Sequence, residues 1–179
     1  MMTRLGPLLL ICTASLASAE EGNFATPPMA LVEAGVICDI RPEEQRAAPG
    51  TVSGVLNLVR QSAPIDVPSP MVPAELGLSF GIRAQLLPEG EGGTYTVVVT
   101  HPPMGPNGQE VEAWDALMAP GDPALNLFTF EKPYELVEGP WRFQLVKEDE
   151  VLLQQDFLVT PKGTVPAVQK TCYGSMIMS

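Results

Sequence analysis

The chain has 179 residues, 21 acidic and 10 basic, a net charge of −11 and a single histidine. That balance weighs against a nucleic-acid binder, whose affinity comes from a basic patch, and against docking on anionic lipid. Nineteen prolines and sixteen glycines divide the chain into segments too short for long helices.

The N-terminal stretch predicts a secretory signal over residues 1–19. Arg4 precedes the apolar run Leu5–Ile11, and Ala17-Ser18-Ala19 precedes the acidic start at Glu20. The apolar run is far shorter than the roughly 20 residues that span a bilayer. A lipoprotein anchor at Cys12 is rejected, because the bulky Ile11 stands where a small residue is normally found. Residues 20–28 then form a short N-terminal segment, residues 29–160 a β-sandwich domain and residues 161–179 a C-terminal tail. Export predicts a periplasmic or secreted protein with no stable membrane insertion after cleavage. Loss of Cys12 leaves two cysteines, Cys38 and Cys172. An even pair in an exported chain predicts one disulfide; the alternative is two unrelated thiols.

Within residues 29–160 the apolar pattern has period two. "MALVEAGVICDI" (29–40) and "TVSGVLNLVR" (51–60) predict strands around a polar loop at 41–50. The clearest strand is "ELGLSFGIRAQLL", with Leu76, Leu78, Phe80, Ile82, Ala84 and Leu86 on one face. The loop "PEGEGG" leads to "TYTVVVTH", with Tyr95, Val97 and Val99 inward. "EVEAWDALM", "ALNLFTF", "PWRFQLV" and "VLLQQDFLVT" follow, with Trp141, Phe143 and Leu145 inward and a bulge expected between Leu153 and Phe157. The tail shows no clear period. Eight such strands predict an all-β, immunoglobulin-like antiparallel β-sandwich of about 7–8 strands. In "ELVEGPWRFQL", Trp141 takes the place of the tyrosine that often pins such a corner, its indole N–H free to bond nearby backbone.

Two blocks carry a family resemblance. Pro73, Leu76, Gly77, Phe80 and Gly81 form the first. Phe130, Pro133, Tyr134, Glu135, Leu136, Val137, Gly139, Trp141 and Phe143 form the second, with Leu153 and Phe157–Val159 after it. In these residues the chain resembles a bacterial exported family, the domain of unknown function 3859. The resemblance implies an exported sandwich and brings no activity, cofactor or catalytic residue with it.

The chemistry-bearing residues are sparse. One imidazole, His101, does not make the histidine sets that zinc or iron sites use, and no G-x-S-x-G elbow is present. "CYGSMIM" at the C-terminus holds part of a copper ligand set only. Glu75, Asp115, Glu131 and Glu135 are imaginable as hydrolytic carboxylates, with nothing in the sequence to bring two together. The expectation is a non-enzymatic protein without cofactor or metal. Strict alternation of strands groups the linker 61–74, the loop 101–109 and the corner 131–140 at one end. It places 38–50, "PEGEGG", "APGDP" and "KEDE" at the other. The stretch His101, Pro102, Pro103 and Met104 is the candidate interaction loop. The expected role is a binding module of the cell envelope whose partner is an envelope protein or ligand. The alternative is a small-molecule or metal-binding protein using His101 and Met104, with a hydrolase third.

Overall fold

The computed structural model describes residues 22–174; the signal segment and Cys12 lie outside them. The strands are β1 (Phe24–Ala25), β2 (Met29–Ile37), β3 (Glu44–Ala47), β4 (Val55–Leu58), β5 (Met71–Pro73), β6 (Ser79–Leu86), β7 (Gly93–Met104), β8 (Gln109–Met118), β9 (Pro123–Thr129), β10 (Gly139–Lys147) and β11 (Glu150–Thr160). A helix, α1 (Pro166–Tyr173), closes the chain. One sheet runs β1-β11-β10-β7-β8, and a second runs β2-β6-β9. Their pairings are antiparallel, and β5 adds to β11 in parallel. In immunoglobulin terms β2, β6 and β9 are strands A, B and E, while β11, β10, β7 and β8 are G, F, C and C′. The fold is an immunoglobulin-like β-sandwich, its body made by the seven long strands.

The inward rows follow the period-two reading. Phe80, Ile82, Ala84 and Leu86 of β6 are fully buried, as are Val97 and Val99 of β7 and Phe143 and Leu145 of β10. Leu76 departs from its expected row: it is exposed, because the turn at Gly77 precedes the strand. The register shift also moves. Leu145 pairs with Leu153 and Val146 with Val151, so the extra residue is Leu152 of β11, just before the expected place, and from it onward Leu153, Gln155, Phe157 and Val159 keep one phase. Gln155 simply occupies a core-facing position, which disguised the row. Trp141 pins the corner as expected, its Nε1–H donating to the Val137 carbonyl at 3.1 Å.

Loop placement agrees in part with strict alternation. The β7–β8 turn and the β9–β10 corner share an end, where Gly139 abuts Pro102. The β6–β7, β8–β9 and β10–β11 loops share the other, where Gly92 meets Pro120 and Gly93 meets Lys147. Cys38 departs from the expected grouping. Ile37 pairs with Ser79, so β2 delivers Cys38 to the end of the β7–β8 turn. The linker after β4 departs too, because it crosses the outer face of the β2-β6-β9 sheet. The Arg83 guanidinium, outward on β6, donates to the Gln61 and Ala63 carbonyls and pairs with Glu33 at 2.6 Å. Val67 then bonds Val36, and only a glycine at position 35 lets the linker backbone lie so close.

The tail is tied down. Val165 and Val168 are buried, and Cys172 on α1 forms a disulfide with Cys38 across 134 residues of sequence. Among the described residues no helix is long and apolar enough to cross a membrane.

Candidate functional site

The two sheets leave one side of the sandwich open, between the outer edges of β8 and β9. Inward positions there are Glu112, Trp114 and Ala116 on β8, opposite Val99, Val97 and Tyr95 of β7. On β9 they are Ala124, Asn126 and Phe128, opposite Ala84, Ile82 and Phe80 of β6. The β3–β4 hairpin stands over this gap. It crosses β8 where the Ala113 N–H donates to the Gly50 carbonyl at 3.0 Å. A Cβ at position 50 would lie 2.5 Å from the Ala113 oxygen, so the crossing requires glycine. Further along, Arg46 Nη2 donates to the Asp115 carbonyl at 2.7 Å. On the β9 side, Asn57 Nδ2 donates to Glu131 Oε1 at 2.6 Å, and the Leu125 N–H donates to Gln61 Oε1 at 2.7 Å. These ties leave a cleft of about 210 Å³ beneath the hairpin.

The cleft is polar and acidic. Glu112, Asp115, Glu131 and Glu135 line it, with Arg46 the only basic side chain among its lining residues. Glu135 sits in the short 3-10 turn Pro133–Glu135, where one carboxylate oxygen accepts the Glu131 and Lys132 N–H groups at 2.6 and 2.8 Å. Burial raises its pKa against those bonds. Glu112 is 5% exposed and receives one long bond, 3.3 Å, from the Val52 N–H of the hairpin. Burial pushes its carboxyl from an ordinary 4.5 up to about 7, opposed by the Val52 bond and reinforced by the charge of Glu135. Asn126 is 7% exposed, and its amide nitrogen has no hydrogen-bond partner among the described residues. A buried amide donor without an acceptor is uncommon and costly.

A pH dependence of stability follows from Glu112. Below 4.5 the group is protonated folded or unfolded and contributes nothing. Between 4.5 and about 7 the folded chain holds a proton that the unfolded chain releases, so stability falls as pH rises through that window. The penalty is complete above it, at about 3 kcal/mol. Glu112→Gln is expected to match the parent at pH 4 and exceed its stability at pH 8 by that order. Urea unfolding at the two pH values measures this, and an unchanged pH slope in the variant would refute it.

The structure also places the residues singled out in the sequence. Glu131 and Glu135 line the cleft, Asp115 borders it from the outward face of β8, and Glu75 lies elsewhere, 2.7 Å from Lys162 Nζ. His101 and Met104 belong to β7 and are buried, at 4% and 3% exposure. The ladder with β8 breaks after Thr100 and resumes at Met104–Gln109, with Pro102 and Pro103 in the gap. The His101 ring lies against Trp141 at 4.7 Å between centroids, and its Nδ1 donates to the Pro102 carbonyl at 2.8 Å. Burial lowers its pKa, opposed by that bond and by Glu110, so the imidazole is neutral at pH 7. Pro103 is the exposed member of the stretch. Among the described residues, no three His, Cys, Asp or Glu side chains group to hold a metal. Glu112 and Asn126 were missed by sequence reasoning. The available signal was phase: Glu112 stands two residues before Trp114, and Asn126 two before Phe128, in rows that face inward.

The family described as Domain of unknown function (DUF3859) matches residues 26–159. A search of curated proteins found no match. Among solved structures, the chain is similar to an immunoglobulin-like protein from Pseudomonas aeruginosa, at 25% identity and a TM-score of 0.48, covering 80% of this chain and 100% of that one. With the match running from the segment before β2 to the end of β11, the chain belongs to the DUF3859 family.

Proposed function

We propose that this is an exported, non-catalytic binding module of the periplasm, and that the cleft under the β3–β4 hairpin receives its ligand or a side chain of its partner. The observation that carries the reading is the pair of inward, buried polar residues, Glu112 and Asn126, that line one cleft at the open side of the sandwich. Buried polar groups are normally satisfied within the fold. Here a carboxylate with one long bond and an amide with an open donor line the same cleft, as convergent polar groups do in ligand sites. The rigid sandwich supplies the scaffold and the hairpin supplies the adaptable wall. Support for export comes from the leader-like N-terminal pattern and from the Cys38–Cys172 disulfide, a bond that persists in oxidising compartments.

The test is capture from periplasmic extract by the mature protein, in parallel with Gly50→Val and Glu112→Gln. Gly50→Val sets a side chain against the β8 backbone and displaces the hairpin. Capture is expected to fall with both variants and to persist with Pro103→Ala, whose side chain is exposed near the end of β7, outside the residues that line the cleft. Equal capture by all four proteins would overturn the assignment of the cleft. Fractionation of cells expressing the full chain tests export: the processed protein belongs in the periplasm, and unprocessed protein in the cytoplasm would contradict it.

A further inference from the structure

We propose that the cleft takes a small ligand bearing a primary ammonium and an oxygen acceptor close by, the ammonium against Glu112 and the acceptor against the Asn126 amide. This rests on the reading of the cleft as a binding site. Glu112, Glu131 and Glu135 line the cleft, while Asp115, outward on β8, meets it through its backbone carbonyl, to which Arg46, the only basic side chain among the lining residues, donates. Glu135 is compensated by two backbone N–H groups and Glu131 by Asn57. Of these three glutamates Glu112 has the least compensation, a single bond at 3.3 Å. A cation beside it offsets both its own charge and the repulsion from Glu135.

The amide argument narrows the class. Asn126 offers a buried donor and needs an acceptor. Lysine and arginine side chains bring charge and donors, with no acceptor. Carboxylate and phosphate ligands bring acceptors, and they meet the like charge of the glutamates that line the cleft. Neutral hydroxylic ligands satisfy the amide and leave Glu112 uncompensated. An ammonium with a neighbouring carbonyl or hydroxyl answers both residues, and about 210 Å³ accommodates a head group of that size. An α-amino amide and a 2-amino sugar both carry this chemistry.

Titrations at pH 7 with glycinamide and with glucosamine, each beside its N-acetylated form, test the proposal. Trp114 lines the cleft, so its fluorescence gives one readout, and calorimetry gives a second. At least one free amine is expected to bind, and the stronger of the two identifies the source. Acetylation removes the charge and should abolish binding. Glu112→Gln should weaken it by about tenfold or more and Asn126→Leu by about threefold to tenfold. Thermal unfolding of both variants confirms that they are folded. Equal binding of acetylated and free forms, weakened by both substitutions, would overturn the ammonium and leave the cleft as a site. Binding insensitive to both substitutions would overturn the proposal and the cleft together. No binding of either amine in the millimolar range would overturn the proposal, while the capture experiment decides the cleft independently.

Discussion

Phe80→Ala is expected to remove about 3–5 kcal/mol of unfolding free energy, the range for truncating a buried aromatic ring. Phe80 is 0% exposed, and its ring lies between 5.3 and 6.0 Å from those of Phe128, Phe130, Trp141, Phe143 and Phe157. These five come from β9, the corner after it, β10 and β11, so one side chain joins both sheets. Its loss opens a cavity that β-sheet backbones on both sides cannot close. A domain with ordinary stability of about 5–15 kcal/mol would lose much of its margin. Urea unfolding measures the change, with Leu117→Ala as the control. Leu117 is 80% exposed, and its truncation should stay within about 0.5 kcal/mol. If Phe80→Ala is too unstable to measure, Phe80→Leu supplies a smaller loss with the same sign. A change below about 1 kcal/mol for Phe80→Ala would show that the core is organised elsewhere.

Removal of the Cys38–Cys172 bond is expected to have a comparable effect. The bond closes 134 residues of sequence separation, for which the chain-entropy relation gives about 5 kcal/mol, against about 2–5 kcal/mol for loss of native disulfides. A chain beginning at Glu20, with both cysteines changed to serine, should lose about 3–5 kcal/mol in urea. Its α1 helix should also exchange amide protons faster, since Val165 and Val168 would then hold the helix without a covalent tie. Thiol titration of the same chain with its cysteines intact, unfolded without reductant, should find no free thiol. Two free thiols would refute the bond.

The body of the sandwich was legible because its inward rows are uniform in chemistry. In β6, β7 and β10 the alternating residues are apolar on one face and mixed on the other, and period two reveals such a strand directly. The cleft was hidden by the same rule. Glu112 and Asn126 stand at inward positions, where a reading by hydrophobicity sees only a weakened strand. Their meaning depends on β8 and β9 being edges of opposite sheets, which is a property of topology. The β3–β4 hairpin was hidden for another reason. Its first strand, "EQRA", is fully exposed and has no apolar row to read. It is held by backbone pairing to β4 and by polar ties such as Arg46 to Asp115. His101 misled in the opposite direction. A lone histidine before two prolines suggests a strand end, yet the ladder resumes at Met104 beyond the gap and the ring is drawn in against Trp141.

The disulfide also decides how the molecule bears load. A force drawn along the chain from residue 22 to residue 174 passes through the Cys38–Cys172 bond and bypasses residues 39–171. Among the strands, only β1 and β2 lie outside the covalent loop. Stretching can peel those two from the sheets, and it cannot extend the cleft, its hairpin or the aromatic core. Tension applied through either end would therefore leave the body of the sandwich intact.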